Sequence, residues 1–139
     1  MHQFRRWLPL AALLLAGCEG PRGIPGLWTG VIQTGSSVTS FTMTITETEQ
    51  GAVTGGGRLV NTFPGVSTFI FPLTVTGAHA HPAISLAIAP VGAQSMNFSG
   101  TIDPTLARMD GVLFGSGFTG DSLHLLRTTP SSVAQITAP

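Results

Sequence analysis

Val38-Thr39-Ser40-Phe41-Thr42-Met43-Thr44-Ile45-Thr46-Glu47-Thr48 decides how this chain folds. Phe41, Met43 and Ile45 occupy every second position, with Thr42, Thr44 and Thr46 between them. Successive side chains of a strand point to opposite faces, so the stretch is a half-buried strand with one dry face and one hydroxyl-bearing face. An amphipathic helix would need apolar residues three and four apart, which this spacing does not supply.

The same period recurs on both sides. Residues 27–34 form a first strand. Residues 52–60 carry Val53, Leu59 and Val60 around Gly55-Gly56-Gly57, where a bulge or kink is expected to let a small sheet bend. In 66–76, Phe69, Phe71, Leu73 and Val75 share one face; in 83–89, Ile84, Leu86 and Ile88 do; in 94–102, Met96, Phe98 and Ile102 do. Residues 106–115 and 121–128 complete the series, the last with Leu123 and Leu125 opposite His124 and Leu126. Short turns rich in Gly, Pro and Asp join these segments, and no segment has a convincing helical period. Short connections favour antiparallel neighbours. The expected fold is therefore all-β, an up-and-down meander of about eight strands that closes into a small barrel and so removes its edges. The alternative is an open two-sheet β-sandwich, in which Trp28 is simply a core residue.

Charged residues make up 9% of the chain and hydrophobic ones 42%, with no lysine and a formal net charge of zero. Arginine is scattered, at positions 5, 6, 22, 58, 108 and 127. Binding to nucleic acid needs clustered Lys and Arg to neutralise phosphates, and a polybasic grip on anionic lipid needs the same, so both are excluded as partners. The apolar content argues against disorder.

The amino-terminal residues carry a different signal. Arg5 and Arg6 precede an apolar run from Leu8 to Ala16, broken only by Pro9, and Leu15-Ala16-Gly17-Cys18 follows as a small-residue exit. A charged start, a short apolar stretch and small residues at its end are the parts of a secretory signal peptide. The run is about half the roughly 20 residues a membrane-spanning helix requires. Leu15-Ala16-Gly17-Cys18 resembles the lipobox of bacterial lipoproteins. That resemblance implies diacylglyceryl transfer to the Cys18 thiol, cleavage between Gly17 and Cys18, and further acylation with chains such as palmitate. It also implies residence in the bacterial cell envelope, and Glu19, where an Asp would favour the inner membrane, points to the outer membrane. Cys18 is the only cysteine, so no intrachain disulfide can form, and acylation explains a lone thiol in an exported chain. The expected organisation is a signal peptide over 1–17, a lipidated Cys and short tether over 18–26, a barrel over 27–128 and a polar C-terminal tail over 129–139.

Gly26-Leu27-Trp28 opens the first strand and Arg127 ends the last. This is similar to the calycins (lipocalins, fatty-acid-binding proteins and avidins), which begin with a Gly-x-Trp segment and often carry an Arg on the final strand that packs across the Trp. The resemblance implies that Trp28 and Arg127 close one end of the barrel, by indole area and cation–π attraction. It also implies a small apolar ligand, for which Phe69, Phe71, Met96 and Phe98 are the candidate lining residues. The chain is shorter than a typical lipocalin, and having no tyrosine it has no recognisable biotin pocket.

Chemistry is sparse. His79-Ala80-His81-Pro82 is expected in a loop; with His124 across the barrel, His79 and His81 are the zinc candidates the chain offers, against a reading as solvated loop histidines. Asp103, Asp110 and Asp121 fall near turns, where aspartates bond local backbone. Glu47 and Glu49 read as a solvated strand end. No Gly-x-Ser-x-Gly elbow is present, and Gly55-Gly56-Gly57-Arg58 lacks the Gly-Lys-Ser/Thr ending of a phosphate cradle. The expectation is a non-enzymatic, lipid-anchored envelope protein without a cofactor, whose calycin-like barrel binds a small apolar ligand; the alternative is a packed barrel acting as an interaction module for another envelope protein.

Overall fold

A computed structural model describes residues 23–128 of the 139-residue chain. The expected signal segment, the expected Gly17–Cys18 cleavage position, Cys18 itself and the expected tail 129–139 lie outside the described residues.

Eight strands follow one another: β1 (Gly26–Thr34), β2 (Ser37–Glu47), β3 (Ala52–Phe63), β4 (Ser67–Ala80), β5 (Ala83–Pro90), β6 (Met96–Ile102), β7 (Arg108–Gly115) and β8 (Phe118–Thr128). Each pairs antiparallel with the next, and β8 returns to β1 through Leu27↔Thr128, Trp28↔Arg127 and Thr29↔Leu126. The sheet is a closed barrel, which excludes the open sandwich. Closure turns the period-two pattern into a packed interior, because every second residue of every strand faces the axis.

Twenty buried apolar side chains fill that interior, among them Trp28, Phe41, Met43, Met96, Phe98 and Met109 at 1% exposure or less. Burying one such side chain is worth about 1.5–3 kcal/mol, so the core rather than any polar contact holds the barrel together. The barrel has two ends. The turns 48–51, 81–82 and 103–107, the start of β1 and the end of β8 lie at one; the turns 35–36, 64–66, 91–95 and 116–117 lie at the other.

Three expectations need correction. β4 runs on to Ala80, so His79 is a strand residue paired with Ile84 and not part of a loop. The pairing of β3 with β2 and β4 is unbroken through Gly55-Gly56-Gly57, so no bulge occurs there. What glycine supplies is close approach: a Cβ on Gly57 would lie 1.9 Å from the Thr42 carbonyl oxygen. The register shift falls instead between Leu113 and Phe114, where β7 meets β8. Third, Ile24, part of the expected tether, is fully buried in the core.

Candidate functional site

The end where β1 begins is shut by a strap, Gly23-Ile24-Pro25, and four side chains hold it. Ile24 inserts its side chain into the core. The Trp28 indole N–H donates to the Ile24 carbonyl at 2.9 Å. Glu47 accepts the Ile24 amide N–H through Oε2, also at 2.9 Å. Arg127, across the β1–β8 pair, has its guanidinium carbon 6.0 Å from the Trp28 ring centroid. It donates to the carbonyls of Gly23, Leu106 and Pro25. Gly26 has φ of +139°, and a Cβ there would meet Arg127 Nε at 3.1 Å, so the glycine of Gly-x-Trp makes room for the guanidinium.

Glu47 is the residue the sequence reading misplaced. Its side chain is 12% exposed, and its Oε1 accepts from Nδ1 of His79, 7% exposed, at 2.7 Å. The signal was present. Position 47 continues the inward row Phe41, Met43, Ile45 on β2, and position 79 continues Phe71, Leu73, Val75 on β4. An inward acid and an inward imidazole on β2 and β4 meet across β3 only because the register brings their ends level. The other ring nitrogen, Nε2 of His79, is a buried polar atom without a partner among the described residues.

An open cleft of about 630 Å³ lies outside this closure, between the strap, the turn 48–51 and His81. The His79 and His81 rings meet edge to face, with centroids 5.6 Å apart. His124 does not join them. It faces outward on β8, where its Nδ1 contacts Asp110, which also takes Arg108 Nε at 2.7 Å. Its neighbours Leu123 and Leu125 point inward, so an even-numbered residue of that strand cannot. Among the described residues no three His, Cys, Asp or Glu side chains are disposed to hold a metal ion.

The hydrogen bond from Arg108, then that from His124, holds the Asp110 carboxyl below the usual carboxylate range. Asp110 therefore lies within a strand on an exposed ion cluster, not at a turn. Asp103 does cap its turn: its carboxylate takes the Thr105 hydroxyl and the Ala107 and Arg108 amides, and its pKa is lowered, chiefly by Thr105. Asp121 accepts the Thr119 amide N–H at 3.0 Å.

The opposite end is a mouth. A depression of about 340 Å³ opens there, its apolar wall made by Leu59, Phe71, Pro90, Met96 and Phe118 and its polar lining by Thr34, Ser37, Thr39, Asn61 and Ser116. The β3–β4 hairpin overtops it. β5 stops pairing with β4 at Leu73↔Pro90, whereas β3 and β4 continue to Phe63↔Ser67. Phe63 and Phe69, on the inward face of this extension, pack edge to face at 6.1 Å between ring centroids. Of the four candidate lining residues, Phe71 and Met96 line the depression. Phe69 stands above it on the rim, 47% exposed, and Phe98 lies below it in the closed core.

Comparison of the chain with protein-family models, curated proteins and solved structures returned no match.

Proposed function

We propose that this chain is a lipid-anchored, non-catalytic protein of the bacterial cell envelope whose barrel mouth holds a small apolar ligand. The observation that carries the ligand reading is the mouth depression, walled by Leu59, Phe71, Met96 and Phe118 beneath the aromatic lip of Phe63 and Phe69. Its volume, about 340 Å³, is at the lower end of the roughly 300–1,000 Å³ typical of ligand pockets. Small eight-stranded barrels have room for one such ligand at most. The calycin resemblance of Gly26-Leu27-Trp28 and Arg127 supports the same role.

Anchoring rests on Leu15-Ala16-Gly17-Cys18 behind Arg5 and Arg6. Two or three acyl chains give stable membrane attachment where one does not. The chain from Cys18 to the strap at Gly23 reaches about 18 Å when extended, so an anchor at Cys18 holds the closed end near the bilayer and directs the mouth away from it. Glu19 favours the outer membrane. Cys18→Ser tests the anchoring: acyl labelling and membrane fractionation should both be lost, and normal fractionation of the variant refutes it. Native mass spectrometry of protein taken from its own envelope tests the ligand: a discrete added mass, removable by solvent, is expected, and a clean apo mass counts against it.

A second reading has its own observation. Beyond the end of β5, Ser67–Phe71 leave one backbone edge of β4 unpaired among the described residues, with Ile70 62% exposed on the outer face. Unpaired edges add strands from partners. A packed barrel presenting this edge would serve as an interaction module for another envelope protein, and loss of partner capture on Ile70→Lys with ligand binding intact would favour it.

A further inference from the structure

The two barrel ends differ in charge as well as in shape. Glu47, Glu49, His79, His81, Asp103 and Arg127 gather at the closed end, and Arg108, Asp110 and His124 form the exposed cluster on β7 and β8. Arg58 is exposed on the outer face of β3. Among the described residues, no ionisable side chain lines the mouth. Asp121, on the upper part of β8, is held by the Thr119 amide and does not line it either.

The mouth's polarity is neutral, from Thr34, Ser37, Thr39, Asn61 and Ser116, and Thr39 is the most buried of these. Thr39 is buried, at 5% exposure. Its hydroxyl reaches only Asn61 Oδ1, at 3.5 Å, the outer limit of a hydrogen bond. Thr39 and Asn61 pair across β2 and β3, and both border the depression opposite Met96 and Phe118. A hydroxyl and an amide thus stand side by side with donor and acceptor capacity to spare.

From this we infer that the mouth selects uncharged amphiphiles, with a short apolar body against Leu59, Phe71, Met96 and Phe118 and a hydroxyl, ester or amide head at Thr39 and Asn61. The inference rests on the reading that the mouth holds a ligand at all. A carboxylate or ammonium head seated there would give up its water with no counter-charge to replace it, whereas a neutral head exchanges one set of hydrogen bonds for another. Size narrows the class further. At roughly 30 Å³ for each water-sized group, the depression accepts about eleven heavy atoms.

The test uses 1-decanol, decanoate and decylammonium at pH 7.5, three probes of nearly equal length that differ in head charge. The full chain, carrying methyl-labelled methionine and kept in solution by an amphipathic polymer, is equilibrated by dialysis against equal free concentrations of each. Met96 lines the mouth, whereas Met43 pairs with Trp28 and Met109 with Ile102 towards the closed end, so of the chain's four methionine methyls these three report where a probe sits. Decanol is expected to shift the Met96 methyl and leave Met43 and Met109 in place, with both ions at least about a hundredfold weaker. Equal binding of all three at Met96 overturns the charge selectivity and leaves the ligand reading standing. No shift at Met96 with any probe overturns both. Asn61→Leu is expected to weaken decanol about tenfold with the Met43 and Met109 resonances unchanged; undiminished affinity in a variant with those resonances unchanged overturns the assignment of the head group to Thr39 and Asn61.

Discussion

Trp28→Ala probes the closed end most sharply. Trp28 is fully buried and heads the largest side chains of the core, and its indole N–H holds the Ile24 carbonyl. Truncating a buried Trp costs about 3–5 kcal/mol in lost transfer and cavity formation. Orphaning the strap carbonyl adds about 1 kcal/mol where water enters the gap. The Arg127 guanidinium also loses the ring it packs beside. We expect a total of about 4–6 kcal/mol, which for a domain of about 100 residues lowers Tm by roughly 20–30 °C. Trp28→Phe keeps most of the apolar area and loses the hydrogen bond, so about 1–2 kcal/mol is expected. Equilibrium urea unfolding followed by far-UV circular dichroism measures both. Fluorescence does not serve, because Trp28 is the one tryptophan among the described residues and the substitution removes it. Leu126→Ala, half-exposed on the outer face of β8, should cost under about 0.5 kcal/mol and sets the baseline. A loss below about 1 kcal/mol for Trp28→Ala would refute the view that the indole and the strap close the barrel.

Three further outcomes follow from the geometry. Glu47→Ala removes the acceptor of both the Ile24 amide and the His79 ring, and should cost about 2–3 kcal/mol by urea unfolding, against almost nothing for exposed Glu49→Ala. Gly57→Ala, whose Cβ would meet the Thr42 carbonyl, should cost at least about 2 kcal/mol, whereas Gly56→Ala, with its nearest neighbour at 3.4 Å, should be mild; equal effects would show that β2 and β3 do not approach as described. Asp110 has its pKa depressed in the fold, so its ionised form stabilises the folded state above the ordinary value of 3.8, and that contribution is lost as the pH falls through the lower folded value. The carboxyl is exposed and solvent-screened, so the effect is small. Asp110→Asn should flatten the decline in Tm between pH 4 and about pH 2 and leave Tm at pH 7 nearly unchanged, and an unchanged acid slope would contradict it.

Strand identity was legible because burial in a closed sheet writes itself at period two. Phe41, Met43 and Ile45 announce β2, and Leu123 and Leu125 announce β8. The mouth was half legible: Phe71 and Met96 stand in its wall, but Phe69 and Phe98 share their inward faces and differ only in height along the axis, which alternation does not report. Thr39 and Asn61 were missed for a related reason. A polar residue on an inward row looks like an interruption until its position at the mouth is known. Glu47 and His79 were misread because solvation was assigned from residue type at strand ends, where the strap in fact covers them.

By itself the sequence determined what depends on local order along the chain: the strand and turn pattern, the absence of clustered positive charge, the Gly26-Leu27-Trp28 opening and the Arg127 ending. Tertiary structure alone decided what depends on register and on which end is capped. Closure of β8 onto β1 brings Arg127 beside Trp28, and the level ends of β2 and β4 bring Glu47 to His79. The unequal reach of β4 and β5 leaves one end open as a mouth. These are contacts between residues tens of positions apart, set by where each strand stops against its neighbours, and a period-two pattern carries no information about that relative height.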